Sequence, residues 1–244
     1  MRLTRSYMDA ALSPGGPVTL PESAANHLTR VLRLREGDEC VLFNGDGHDY
    51  AARITSIGKR QVIAEVLSSQ AVENESPLVI TLVQGIARGE KMDLILQKAT
   101  ELGVTAVIPV IAERTEVKLD AERAEKRVTH WRSVMVSACE QSGRARIPRL
   151  SAPMPLFQTI NEPAQESLQL TLDPFGDTSL ATMKAPSSTA ITIAIGPEGG
   201  WSPRDREALR AAGFIGLRLG PRILRTETAG LAAIAALQSR FGDL

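Results

Sequence analysis

Carboxylates and arginines gather in two glycine-rich corners near the C-terminal end of this sequence. Gly196-Pro-Glu-Gly-Gly200 follows a short apolar, β-branched run, Ile191–Ile195, and leads into Trp201-Ser-Pro-Arg-Asp205. Ser202 as N-cap, Pro203 at the first helical position and Asp205 three residues on read as a helix start. The same order recurs downstream. Phe214–Leu219 reads as a strand, Gly220-Pro-Arg-Ile-Leu-Arg225 as a turn, and Thr226-Glu-Thr-Ala229 opens a second helix. Both corners free backbone N–H groups at the carboxyl end of a strand, where open α/β sheets bind ligands. The first adds one carboxylate, Glu198; the second adds Arg222, Arg225 and Glu227. Alone, Gly196–Gly200 could equally be a bare turn. It is not GxGxxG, and GxxxxGK[ST] occurs nowhere, so the dinucleotide and nucleoside-triphosphate fingerprints both fail.

The elements that must position these corners alternate. From Leu78 onward, strands at Leu78–Gln84, Val104–Ile111, Leu168–Leu172, Ile191–Ile195 and Phe214–Leu219 are interleaved with helical patterns. The helices fall at Glu90–Leu102, about Ala121–Gln141 and Thr226 to about Phe241. Such alternation implies a mostly parallel sheet covered on both faces. Residues 1–70 read differently, as a small β-rich module. It contains the turn Asn44-Gly-Asp-Gly47 between apolar runs, and one helix over Ala24–Leu34. On that helix Asn26, Arg30 and Arg33 would share a face, which is either solvated or, with Arg2 and Arg5, a phosphate contact. Ser68–Pro77 lacks an apolar period and ends in proline, the pattern of a linker. The domains expected are 1–70, a linker at 71–77, and 78–244.

Composition narrows the classes. Lys plus Arg equals Asp plus Glu at 28 each, so no global basic field marks nucleic acid, although local patches can still bind it. Aromatics make up 4%, too few for a base-stacking platform of the RRM type. Two cysteines and three histidines, not spaced as ligands, predict no metal site. Neither a signal peptide nor a membrane-spanning run is visible, so a cytoplasmic protein is expected.

Several motifs together resemble one family. They are Ala25-Asn-His-Leu-Thr-Arg-Val-Leu-Arg33, Arg88-Gly-Glu-Lys91, Gln97-Lys-Ala-Thr-Glu-Leu-Gly103, Glu113-Arg-Thr-Glu-Val-Lys118, Ala138-Cys-Glu-Gln-Ser-Gly-Arg144 and Leu219-Gly-Pro-Arg-Ile-Leu-Arg-Thr-Glu-Thr-Ala229. With the Gly196–Gly200 corner they resemble the SPOUT methyltransferases, and within them the 16S ribosomal RNA uracil-N3 methyltransferases. That resemblance implies a C-terminal α/β SPOUT domain with a trefoil knot, preceded by a PUA-like β-barrel. It further implies a homodimer, S-adenosylmethionine as methyl donor, and N3-methylation of one uridine in the decoding centre of 16S rRNA in the small ribosomal subunit.

Carried over by position, the resemblance gives the cofactor to Gly196, Pro197, Glu198, Gly199, Leu219, Gly220, Ile223, Leu224, Thr226 and the loop after Leu172. Ile223 and Leu224 would wrap the adenine or simply pack in the core. Uracil N3 carries a proton at neutral pH, so transfer needs a base and stabilisation of ring charge. The candidates are Glu198 or Glu227 as base and Arg144 or Arg225 beside the uracil. Glu198 could instead be a structural carboxylate at a helix N-terminus. Arg88, Lys91 and Arg144 are candidate RNA contacts or members of a solvated charged face. The small residues of Gly230–Leu237 suit either core packing or a dimer interface. Two other readings remain open: a SPOUT enzyme acting on another atom such as a ribose 2′-oxygen, and a non-catalytic RNA-binding or ribosome-assembly factor.

Overall fold

The structure, a computed structural model, describes residues 3–118, 120–160 and 167–244. It divides into two compact units, Met1–Glu75 with Cys139–Ile147, and Ser76–Ala138 with Pro148–Leu244.

The first unit holds strands β1 (Arg5–Tyr7) and β2 (Pro17–Thr19), helix α1 (Glu22–Asn26), a π-helical turn (His27–Val31), and strands β3 (Glu39–Phe43), β4 (His48–Ile57) and β5 (Val62–Ala71). The strands form one sheet in the order β1-β3-β4-β5-β2, antiparallel except for the β1–β3 pair. Leu42, Ala52, Ile54, Ala64 and Val66 alternate inward and close on Leu28 and Met8.

Two expectations change here. The helix expected over Ala24–Leu34 is only five residues of α-helix before the backbone widens to i→i+5 bonding, with Leu32 N–H reaching His27 at 3.0 Å. Arg33 then adopts φ 59°, and the Leu34 N–H closes onto the Leu28 carbonyl. Asn26, Arg30 and Arg33 therefore share no α-helical face. Ser68–Ala71, read as the start of a linker, instead extends β5 along His48–Ala51.

The second unit comprises β6 (Val79–Gly85), α2 (Lys91–Glu101), β7 (Ala106–Ile111), α3 (Ala121–Ser142, whose last turn belongs to the first unit), β8 (Arg149–Leu150), β9 (Met154–Pro155), α4 (Leu156–Ile160), β10 (Leu168–Leu172), β11 (Thr178–Ser179), β12 (Ala190–Ile195), α5 (Pro203–Ala211), β13 (Ile215–Arg218) and α6 (Thr226–Phe241). All its strand pairs are parallel, in the order β11-β13-β10-β12-β6-β7-β8 with β9 beside β7. Alternation along the strands feeds two cores. Ile80, Leu82, Ile191 and Ile193 pack with α2, α3 and α6, while Val83 and Ala194 pack on the opposite face with α4, α5 and Trp201. This is the covered parallel sheet that the sequence pattern predicts.

The expected start of α5 is also observed. Ser202 Oγ accepts the Asp205 N–H and Asp205 Oδ2 accepts the Ser202 N–H, both at 3.0 Å, with Pro203 at the first helical position.

Candidate active site

The loops following β10, β12 and β13 open into one cavity of about 550 Å³ at the carboxyl ends of the strands. This is where a parallel sheet leaves backbone groups free for a ligand. Leu172, Gly196, Pro197, Glu198, Gly199, Leu219, Gly220, Ile223, Leu224 and Thr226 all line it, so every residue expected at a cofactor is brought together here. Arg88, Lys91, Arg225 and Glu227 share the same walls.

The corners are locked together by hydrogen bonds. Thr226 Oγ1 donates to the Gly196 carbonyl at 2.6 Å, joining the first corner to the start of α6. Gln84 Nε2 in turn donates to Thr226 Oγ1 at 3.1 Å. Gly85 is needed for this closeness, because a Cβ there would lie 2.5 Å from the Pro197 nitrogen. Two glycines of the first corner pack closely against the protein itself. A Cβ on Gly196 would meet the Trp201 nitrogen at 3.1 Å, and one on Gly199 would meet Arg114 Cβ at 3.0 Å.

Glu198 is held rather than free. It accepts the Arg88 backbone N–H at 3.0 Å and the Lys91 ammonium at 3.2 Å. Burial pushes its carboxyl upward, but the Arg88 N–H, its own backbone N–H and Lys91 outweigh that and hold it below the usual range. A carboxylate so stabilised is a poor proton acceptor. Glu227 differs, since its Oε2 is buried without a hydrogen-bond partner. Lys91 is thus engaged with Glu198, and the Arg88 guanidinium pairs with Glu116 at 2.6 Å, so neither cation is a simple unpaired surface charge.

Arg5 and Arg144 do not belong to this cavity. Within the first unit Arg5 grips Asp49 through Nε at 3.2 Å and Nη2 at 2.5 Å, and donates from Nη1 to the Cys139 carbonyl at 2.8 Å. Its guanidinium lies 4.5 Å from the Phe43 ring centroid. Arg144 pairs with Glu75 at 2.5 Å, its side chain 6% exposed. Both guanidinium groups are buried and paired with acidic neighbours, whereas RNA contact was expected of both and a catalytic role of Arg144. Arg30 and Arg33 are exposed. Arg2 lies outside the described residues.

The expected loop after Leu172 lines the cavity with Asp173, Pro174 and Phe175, the last 80% exposed at the rim. Sequence reasoning missed the residues that brace the corners. Trp201, buried, donates from Nε1 to Thr171 Oγ1 at 2.9 Å and braces the first corner against β10. Leu172 followed by Asp173-Pro174 was a detectable strand-to-turn signal, whereas Gln84 and Trp201 gain their roles only through tertiary pairing. Among the described residues no group of three or more His, Cys, Asp or Glu could hold a metal. Burial pushes the Cys40 and Cys139 thiols up to about 11, too high for either to act as a thiolate nucleophile near neutral pH.

A cavity at the βα corners of a parallel sheet is a ligand site of the kind α/β enzymes use, and the family models give its class as an RNA methyltransferase. Residues 74–238 match the RNA methyltransferase domain and residues 20–67 the RNA methyltransferase PUA domain. The chain is 32% identical to ribosomal RNA small subunit methyltransferase E of Buchnera aphidicola, covering 100% of this chain and 98% of that protein. It is 33% identical to the protein of the same name from Bacillus subtilis, over 97% of this chain and 94% of the other. A Neisseria gonorrhoeae ribosomal RNA small subunit methyltransferase E solved with S-adenosyl methionine superimposes with a TM-score of 0.92 at 42% identity, each chain fully covered. A Legionella pneumophila methyltransferase in complex with the same cofactor gives 0.95 at 39%, again with full coverage. The chain belongs to the ribosomal RNA small subunit methyltransferase E family.

Proposed function

We propose that this enzyme transfers a methyl group from S-adenosylmethionine to N3 of one uridine in the decoding centre of 16S rRNA. The observation that carries the reading is the cavity, on which all three glycine-rich or β10-terminal loops converge. Its size suits a cofactor of this class. Its apolar side, Leu172, Leu219 and Leu224, suits an adenine ring, and Ile223, 79% exposed, stands where it can cover one. S-adenosylmethionine supplies a methyl carbon made electrophilic by its sulfonium.

The chain's residues handle the nucleophile. Glu227, with one unpartnered carboxylate oxygen, takes the N3 proton. Arg225 at the same wall stabilises the charge left in the ring, which is worth most where water is excluded. As N3 bonds to the methyl carbon, the carbon–sulfur bond breaks and its electron pair stays on sulfur. Glu198 holds the corner in shape and takes no proton.

Exposed Arg30 and Arg33 in the 1–70 module, with Arg88 and Lys91 in the 78–244 domain, serve as RNA contacts in this reading. The trefoil knot expected of the C-terminal segment belongs to this reading. A homodimer would use the half-buried Leu231, Ala232, Ala235 and Ala236 face of α6, and light scattering at micromolar concentration tests it. A cytoplasmic location fits a ribosomal substrate. Among the described residues no helix is long and apolar enough to cross a membrane.

The deciding experiment offers labelled S-adenosylmethionine with small ribosomal subunits and with naked 16S rRNA, followed by nucleoside analysis. N3-methyluridine is the expected product. A 2′-O-methyl nucleoside would move the target to ribose, and cofactor binding without transfer would make the protein a binder.

A further inference from the structure

Gln84, near the end of β6, is fully buried and stands behind the cavity wall. Its Nε2 donates to the Gly85 carbonyl at 2.9 Å and to Thr226 Oγ1 at 3.1 Å. The Gly85 oxygen can only accept, so the amide nitrogen must face it and the side-chain orientation is fixed. A hydroxyl has one proton and two acceptor positions. Gln84 fills one acceptor position of Thr226, and the hydroxyl proton goes to the Gly196 carbonyl at 2.6 Å.

We propose that Gln84 is a positioning residue for the cofactor cavity. It fixes the direction of the Thr226 hydroxyl, ties the Gly196 corner to the first turn of α6, and leaves Thr226 able only to accept from a ligand. Whichever cofactor group meets Thr226 must therefore be a donor, such as an amine or a ribose hydroxyl. Two features mark the amide as costly for the fold. Its Oε1 is buried without a hydrogen-bond partner, a state that disfavours folding. Its surroundings are apolar: a Cβ on Gly230 would lie 3.4 Å from Ile195 Cγ1 and 3.7 Å from Gln84 Oε1. An apolar side chain would satisfy this position more simply. The retained amide is explained by what it does to Thr226.

The inference rests on the reading that the cavity holds S-adenosylmethionine. The test is calorimetric titration of the full chain with S-adenosylmethionine for wild type, Gln84→Met, Thr226→Val and the double variant, with thermal unfolding and steady-state kinetics alongside. Each single change is expected to weaken cofactor binding about tenfold, the worth of one or two hydrogen bonds. The double variant should bind no more weakly than the weaker single, because both break the same chain of contacts. KM for the cofactor should rise while kcat at saturating cofactor stays near wild type, and Thr226→Ser should restore binding. The Gln84→Met unfolding midpoint should stay within a few degrees of wild type. Normal cofactor binding by Gln84→Met, or losses that multiply in the double variant, would overturn the proposal. Gln84→Leu stands in if the Met variant does not fold, and failure of both to fold would make the amide a structural residue and overturn it too. If wild type itself binds no S-adenosylmethionine, the underlying functional reading falls first.

Discussion

Glu198 accepts the Arg88 backbone N–H at 3.0 Å, so the carboxylate of the first corner fixes the loop that follows β6. With the Lys91 ammonium on the same oxygen, this contact depresses the Glu198 pKa. A depressed carboxylate stabilises the fold above its unfolded pKa, about 4.3, and the contribution disappears as pH falls through the lower folded value. Glu198→Gln should therefore lower the unfolding midpoint at neutral pH, with the gap to wild type closing below about pH 4. Melting curves across pH 3–7 (roughly the span on either side of that pKa) check this. Turnover at saturating substrates should fall only modestly, as expected of a residue that holds the corner and leaves the proton to Glu227.

Glu227→Gln should behave differently. Loss of a general base costs on the order of 10²–10⁴ in rate, with binding largely kept. Single-turnover methyl transfer should slow by at least about 100-fold while S-adenosylmethionine affinity stays within a few-fold of wild type. A variant with full turnover would remove the assignment.

Gly85→Ala places a Cβ 2.5 Å from the Pro197 nitrogen, which belongs to backbone and cannot swing away. Overpacking of this kind costs about 1–3 kcal/mol. The damage should fall on the cavity as well, since the first corner must shift. Reduced cofactor affinity together with a lower unfolding midpoint is the expected pair of results.

Arg33 is the one non-glycine residue with positive φ among the described residues, at the position after the π-helical turn where glycine is usual. Holding a side chain there costs about 1 kcal/mol. Arg33→Gly should raise the unfolding midpoint and, if the guanidinium meets a phosphate, reduce the salt slope of RNA binding by about 1. Higher stability with an unchanged slope would leave Arg33 a solvated side chain.

The parts of this fold legible in sequence are those fixed by short-range chemistry. Ser202, Pro203 and Asp205 announce α5 because a capping box is local. The two corners are legible because strand, glycine and helix start follow one another along the chain. Charge partners were not legible. Arg5 meets Asp49 and the Cys139 carbonyl, groups 44 and 134 residues away. Nothing near Arg5 in sequence distinguishes a buried guanidinium from an exposed one. Gln84 was overlooked for the same reason, its partner being 142 residues distant. The turn after α1 failed differently, since three- and four-residue spacing presupposes an α-helix and the backbone there changes its pitch.

The first unit also borrows nine residues from the middle of the chain. Arg5 donates to Cys139, Tyr7 N–H to Glu140, Asn74 Nδ2 to the Gly143 carbonyl, and Arg144 to Glu75. A fragment cut after Glu75 would lose all four partners, leaving Arg5 with Asp49 but without the Cys139 carbonyl and Glu75 without its guanidinium. Such a module could not be transplanted by simple fusion; recombination would have to carry Cys139–Ile147 with it. Grafts that join this segment back to Met1–Glu75 should fold, whereas the shorter excision should collapse or aggregate. Inheritance of the RNA-binding half is in this sense tied to the reading frame of the catalytic half.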